Sequence, residues 1–103
     1  MALAHRPARL IVLATSQSIP LYVPPMTVGR RDSLISDPDI VLDHRTVSRR
    51  HAIIDKKECY TVQDLQSLNK TRLNGIVLAP KQEYALHDGD ILEFGDVKVR
   101  FEH

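Results

Sequence analysis

Short apolar runs rich in Val, Ile, Leu, Tyr and Thr recur along the chain about every eight to twelve residues, with turn-forming residues between them. No window of about twelve residues keeps the period of an amphipathic helix. The pattern therefore predicts an all-β fold, a two-sheet β-sandwich of about eleven short strands. The predicted strands are 9–14, 19–23, 26–30, 40–42, 52–55, 60–64, 72–73, 76–78, 84–86, 90–94 and 97–102.

Two short turns predict how neighbouring strands pair. Asn74-Gly75 lies between two apolar strand segments and favours a two-residue hairpin, because a type I′ turn needs positive φ at both central positions. Gly95-Asp96 is a weaker signal of the same kind. The residues around that second turn alternate between apolar and polar types, as expected of strands with one buried face and one wet face.

Size and composition limit the function classes. The chain has 103 residues, which predicts a single domain over 1–103, and its start at Met1 suggests the N-terminal domain of a longer protein. A formal net charge of +1 argues against general nucleic-acid binding. The lone cysteine, Cys59, cannot form an internal disulfide, which fits a reducing compartment. The first apolar run is too short to span a membrane, so no membrane partner is expected.

Three motifs occur in a fixed order. They are Gly29-Arg30, then Ser48-Arg49-Arg50-His51, then Ser67-Leu68-Asn69-Lys70-Thr71 followed by Asn74-Gly75. Their order and spacing resemble the signature of forkhead-associated (FHA) domains, over about residues 26–101. Members of that family read phosphothreonine in partner proteins. The resemblance thus implies a phosphothreonine-peptide recognition module with no enzymatic activity, no cofactor and no metal.

The resemblance also implies roles for individual residues. Arg30 would offer the phosphate a planar guanidinium that makes two parallel charge-assisted hydrogen bonds. Ser48 would add a hydroxyl donor, Arg49 would lie at the edge of the peptide, and Asn69 would bond the peptide main chain. Support of the site is expected from Gly29, His51, Thr71 and Asn74.

Two positions depart from the family pattern. Lys70 stands where the family usually has Gly, and a non-Gly residue at positive φ costs about 1 kcal/mol. Its charge would help phosphate binding, whereas its bulk would narrow the groove that binds the peptide. The sequence does not decide between these two effects. Leu68 stands where many relatives carry a small polar residue, so the predicted site has one phosphate donor fewer.

His51 raises the question of catalysis or metal binding. No second histidine lies at a ligand-like spacing, and no Ser-His-Asp arrangement is visible. The residue is therefore predicted to hold the surrounding loops through both ring nitrogens. Further basic residues either form a positive rim with Arg49 and Arg50 that steers acidic or phosphorylated partners, or are simply a solvated face; they are Arg31, Arg45, Lys56 and Lys57.

Two other expectations are narrower. The resemblance extends to the N-terminal FHA domain of DNA-damage checkpoint mediators, which suggests signalling in the DNA-damage response and a nuclear rather than cytoplasmic location. The alternative function is a constitutive homodimerisation module with an altered or silent phosphate pocket, because Leu68 and Lys70 depart from the pattern.

Overall fold

The structure is a computed structural model that describes residues 7–32, 34 and 36–103; positions 1–6, 33 and 35 of the predicted domain 1–103 lie outside the description. The described residues form eleven strands and no helix, so the predicted all-β sandwich is confirmed. The strands are β1 (Arg9–Val12), β2 (Ser18–Pro20), β3 (Met26–Gly29), β4 (Ile40–Val41), β5 (Ala52–Lys56), β6 (Tyr60–Asp64), β7 (Thr71–Leu73), β8 (Ile76–Val77), β9 (Glu83–Ala85), β10 (Ile91–Phe94) and β11 (Val97–Glu102).

The strands build two sheets. One has six strands in the order β2-β1-β11-β10-β7-β8, and the other has five in the order β4-β3-β5-β6-β9. Every neighbouring pair is antiparallel except β3 and β4. Within the described part of the chain, no helix is long and apolar enough to cross a membrane.

The core follows from the alternation of apolar residues along the strands. On β10 and β11 the buried side chains are Leu92, Phe94, Val99 and Phe101, and the residues between them are more exposed. The facing sheet contributes fully buried side chains from its three central strands, namely Val28, Ala52, Ile54 and Val62. The period of two along each strand therefore places one apolar row between the sheets.

Two strands end two or more residues earlier than predicted. β1 ends at Val12 because its carbonyl accepts hydrogen bonds from the amides of Thr15 and Ser16, which turn the chain. β2 ends at Pro20, and Tyr22 and Val23 of the predicted strand are exposed. Prolines on both sides of that segment remove ladder donors, which explains why apolar residues there do not continue the sheet.

Both predicted hairpin turns are present. Asn74 and Gly75 have φ of 51° and 85°, as a type I′ turn requires, and join β7 to β8. Gly95 has φ of 59° and begins the two-residue turn between β10 and β11.

One end of the sandwich gathers the loops that carry the sequence motifs, and we call it the loop end. There the loop after β3 meets the loop before β5, through a hydrogen bond from the Arg30 amide to the Ser48 carbonyl at 3.0 Å. The loop between β6 and β7 joins them, since the Leu65 amide donates to the His51 carbonyl at 2.9 Å. The β10–β11 turn lies beside it, with the Gly95 amide 3.2 Å from the Lys70 carbonyl.

Candidate functional site

Arg30 stands at the end of β3 with its guanidinium partly fixed. Its Nε donates to the Val47 carbonyl at 3.0 Å, and its backbone amide donates to Ser48. Among the residues that the structure describes, none forms an ion pair with Arg30. The side chain is only half-buried. The two terminal Nη groups are thus held at a defined place and remain available to an anion.

Gly29 lets the loop before β5 lie directly against β3. A Cβ at this position would lie 2.0 Å from the Arg49 carbonyl oxygen and 3.1 Å from that of Ser48. The atoms it would meet belong to backbone and cannot rotate away. The glycine therefore serves the close approach of two chain segments, and this approach brings Ser48 next to Arg30.

Ser48 links the two loops on either side of it. Its Oγ accepts a hydrogen bond from the Leu68 amide at 3.1 Å. A hydroxyl that accepts still has its own proton to donate. Ser48 is thus oriented by the β6–β7 loop and keeps one donor for a ligand. The Leu68 side chain is 82% exposed and supplies no donor, as the sequence indicated.

His51 is buried between the loops and uses both ring nitrogens. Its Nδ1 accepts the Ser48 amide at 3.0 Å, and its Nε2 lies 2.9 Å from the Lys70 carbonyl. Since a carbonyl only accepts, Nε2 carries the proton and the imidazole is neutral. The ring also packs edge-on against Phe94, with centroids 5.7 Å apart. Burial lowers the pKa of His51 below its ordinary value of 6.5, although the Lys70 carbonyl and the Asp64 charge act in the opposite direction.

This lowered pKa predicts a pH dependence of stability. Below pH 6.5 the unfolded chain takes up a proton at this histidine more readily than the folded one. The free energy of unfolding should therefore fall as pH drops from 6.5 towards the folded pKa, by at most about 1.4 kcal/mol per pH unit. Urea unfolding at a series of pH values measures the slope. His51→Gln should flatten it; an unchanged slope in His51→Gln would refute the prediction.

Asn69 ties the β6–β7 loop to the loop before β5. Its Nδ2 donates to the Thr46 carbonyl at 2.9 Å, and the side chain lies at the surface. An amide nitrogen has two protons, so one donor and the Oδ1 acceptor remain for a ligand. The sequence did not single out Thr46, because a backbone carbonyl leaves no signal in residue type.

Lys70 adopts the left-handed conformation that the family pattern assigns to Gly. Its φ is 71°, and Gln66, at the other end of the same loop, has φ of 60°. Two strained residues thus bracket Leu68 and Asn69. Lys70 is exposed at the surface of the loop. Gln66 could not be identified from the sequence, since a polar loop residue carries no local mark of positive φ.

Replacing Lys70 by Gly should separate the effect of backbone strain on stability from the effect of the lysine side chain on phosphopeptide binding. Lys70→Gly relieves an unfavourable φ, so urea unfolding should show a gain of up to about 1 kcal/mol. Lys81 is a matched control, because it is also exposed and has φ of 66°. Lys81→Gly should give a similar gain. We expect only Lys70→Gly to weaken phosphopeptide binding, by a few-fold and less so at high salt. Tighter binding by Lys70→Gly would mean that the lysine obstructs the site.

Thr71 belongs to a buried polar network that the sequence revealed only in part. Its Oγ1 donates to Asp64 Oδ1 at 2.7 Å, and the Ser67 hydroxyl and amide donate to the same carboxylate. These bonds fix both ends of the β6–β7 loop. Asn74 lies in the β7–β8 turn, outside this network. Its Nδ2 donates to Asp90 Oδ1 at 3.0 Å, and its Oδ1 accepts the Ile91 amide at 2.9 Å.

The predicted basic rim is wrong as a continuous surface. β5 begins at the loop end and runs away from it, so Lys56 and Lys57 lie at the opposite end of the sandwich. Several rim cations are also paired with acids: Arg49 with Asp32 at 3.4 Å, Arg31 with Asp37 at 2.8 Å and Lys57 with Glu83 at 2.8 Å. Arg49 stays beside the site but is partly neutralised.

Comparison with known families decides the classification. The model of the FHA domain matches residues 26–95, which include all of the motifs described above. The chain belongs to the FHA family. FHA domains are interaction modules rather than enzymes. No group of three or more His, Cys, Asp or Glu side chains in the described residues is arranged to hold a metal ion.

Two curated relatives of this FHA domain are bacterial. It is 41% identical over 66 residues to the oxoglutarate dehydrogenase inhibitor of Corynebacterium jeikeium, covering 63% of this chain and 44% of that protein. It is 32% identical over 91 residues to the transcriptional regulatory protein EmbR of Mycobacterium tuberculosis, covering 87% of this chain and 22% of that protein. The chain thus spans less than half of each relative. These relatives lend no support to the narrower resemblance to a DNA-damage checkpoint mediator.

Solved structures show the same fold. EmbR of Mycobacterium tuberculosis in complex with a low-affinity phosphopeptide has a TM-score of 0.81 at 31% identity, covering 92% of this chain and 24% of that one. The FHA domain of MEK1, in complex with a phosphothreonine peptide of HOP1, has a TM-score of 0.76 at 28% identity, covering 95% of this chain and 97% of that one.

Proposed function

We propose that this FHA domain binds phosphothreonine-containing segments of partner proteins and so mediates phosphorylation-dependent protein interaction. The observation that carries the proposal is the convergence of three polar groups at the loop end. The Nη groups of Arg30, the hydroxyl of Ser48 and the amide of Asn69 come from three loops that hydrogen bonds lock together. Phosphopeptide complexes of similar FHA domains support this assignment.

Each group suits a different part of the ligand. The Arg30 fork matches two phosphate oxygens, and the Ser48 hydroxyl donates to a third. Asn69 pairs with a main-chain amide of the peptide and keeps it extended. Arg49 and Lys70 add positive charge at the edge of this site without forming its centre. No enzymatic step is part of the proposal.

Calorimetric titration with three peptide pools tests this function. The pools share degenerate flanking positions and differ only in a central phosphothreonine, phosphoserine or threonine. We expect heat from the phosphothreonine pool, less from phosphoserine and none from threonine. Equal heats from the phosphorylated and unphosphorylated pools would contradict a phosphate-dependent reader.

A constitutive homodimer is the second proposal, and one surface favours it. β8 is one of the two edge strands of the six-stranded sheet, and Ile76 on it is 70% exposed. An exposed apolar edge can pair with a second copy. Light scattering at high micromolar concentration tests it: a dimer that Ile76→Lys dissolves supports it, and a monomer counts against it.

A role in the DNA-damage response and a nuclear location stay predictions from resemblance.

A further inference from the structure

Three consecutive residues shortly before β5 support the groups assigned to the ligand, and we call them the support segment. The Thr46 carbonyl accepts the Asn69 side-chain amide at 2.9 Å, and the Val47 carbonyl accepts Arg30 Nε at 3.0 Å. Ser48, the last of the three, carries its ligand donor itself. Every polar group of the site therefore depends on where this segment lies.

The support segment is attached to the fold at each of its residues. The Ser48 amide donates to the buried His51, and the Val47 side chain lies in the core at 1% exposure. At the other end the attachment is a hydroxyl, because Thr46 Oγ1 accepts the backbone amide of Asp96 at 2.9 Å. Asp96 lies in the turn between β10 and β11, two strands of the six-stranded sheet, whereas β5 belongs to the five-stranded sheet. The Thr46 hydroxyl thus connects the segment to the opposite sheet.

This hydroxyl has no proton left for a ligand. The Thr46 backbone amide donates to His44 Nδ1 at 3.2 Å, so this ring nitrogen is an acceptor. The Thr46 hydroxyl lies 2.8 Å from the same nitrogen and therefore donates its proton to it. The hydroxyl is oriented from both sides, by the bond that it donates and by the bond that it accepts. Thr46 can act on a ligand only through the groups that it holds.

Gly95 allows the β10–β11 turn to lie directly against Thr46. Its φ is 59°, and a Cβ there would collide with the Thr46 carbonyl oxygen and lie 2.7 Å from the hydroxyl oxygen. That carbonyl is the acceptor of the Asn69 amide. The Gly95 amide also donates to the carbonyl of Lys70, the residue after Asn69, at 3.2 Å. The turn therefore reaches Asn69 by two routes, through Thr46 and through the β6–β7 loop.

We propose that Thr46 is a positioning residue for phosphopeptide recognition, whose hydroxyl docks the support segment on the β10–β11 turn and thereby sets the Asn69 amide for the peptide main chain. The inference rests on the proposed phosphothreonine function and adds a residue outside the three sequence motifs. Arg30 and Ser48 depend less on this hydroxyl. The core side chain of Val47 fixes the carbonyl that holds Arg30, and the buried histidine holds Ser48.

A double-mutant cycle with Asn69 tests the proposal. The affinity for the phosphothreonine pool is measured by NMR titration, so that weak binding is still quantified. Thr46→Val removes the hydroxyl but keeps the carbonyl and the branched shape. We expect it to lower the affinity about threefold to tenfold in the wild type and less than about twofold in Asn69→Ala. Thr46→Ser keeps the hydroxyl and should bind within about twofold of wild type.

A second variant reaches the same contact from the turn. Gly95→Ala displaces the Thr46 carbonyl and should weaken binding by a similar factor, which keeps the test valid if Thr46→Val fails to fold. Gly89→Ala is the matched control, because Gly89 has φ of 90° but open space around it. Thr61→Val is the control for Thr46→Val, since Thr61 is also half-buried and its hydroxyl donates to Glu83 away from the loop end. Neither control should change the affinity.

The outcomes separate the two proposals. A wild type that binds no phosphothreonine peptide overturns the proposed function itself. If the wild type binds, an equal loss from Thr46→Val with and without the Asn69 amide overturns the positioning role, because a general loosening of the loops acts in both backgrounds. An affinity that stays unchanged in Thr46→Val and in Gly95→Ala overturns it as well.

Discussion

Arg30→Ala should lower the affinity for a phosphothreonine peptide by about 100-fold or more. Two charge-assisted hydrogen bonds from the Nη groups are lost, each worth about 1.5–3 kcal/mol, while the ligand keeps only Ser48 and Asn69. The lost bond from Nε to the Val47 carbonyl should cost about 1 kcal/mol of stability, so the fold survives. Calorimetry measures the affinity, and a thermal melt verifies folding.

Two variants make this result specific. Arg31 is the neighbouring residue, exposed and paired with Asp37, so Arg31→Ala should change the affinity by no more than a few-fold. Arg30→Lys keeps the charge but not the planar fork and should fall between wild type and Arg30→Ala. An affinity that drops equally in Arg31→Ala and Arg30→Ala would point to general electrostatic attraction instead of a phosphate site.

His51→Ala should reduce stability and binding together. The change leaves the Ser48 amide without its partner, which costs about 1–3 kcal/mol, and removes one of the two hydrogen bonds that the Lys70 carbonyl accepts, the other coming from the Gly95 amide. The packing against Phe94 is lost as well. Urea unfolding should therefore show a loss of about 3 kcal/mol or more.

The control for this variant is another histidine. His87 is exposed, and His87→Ala should change the free energy of unfolding by no more than about 0.5 kcal/mol. His51→Gln, which keeps one donor and one acceptor, should recover part of the loss. A His51→Ala protein with stability within about 1 kcal/mol of wild type would show that the imidazole does not hold the loops.

The sandwich could be predicted from the sequence because its determinants are local. Alternation of apolar residues over 97–102 and the Asn74-Gly75 turn each act within a few positions, and both appear in the structure as expected. The predicted ends of β1 and β2 were less accurate. Apolar residues such as Tyr22 and Val23 resemble strand continuations, but flanking prolines leave them exposed outside the ladder.

The site was predictable only as a set of side chains. The order of the motifs indicated that Arg30, Ser48 and Asn69 belong to the site, since the resemblance to the family rests on residue types. It did not reveal that Thr46 connects Asn69 to the β10–β11 turn, because that link uses a backbone carbonyl and a tertiary contact. Ion pairs between residues distant in sequence could not be predicted either. Lys57 contacts Glu83 only because β6 lies between β5 and β9 and brings these two strands close together.

An NMR titration of the ¹⁵N-labelled domain with the phosphothreonine pool and, separately, the threonine pool tests phosphate recognition at the loop end. Only the phosphorylated pool should shift the Arg30 Nε, Ser48 amide and Asn69 side-chain signals, with the largest change at Arg30. Signals that stay still, or shifts confined to the Arg9 and Arg100 cluster on the β1–β11 pair, would contradict it.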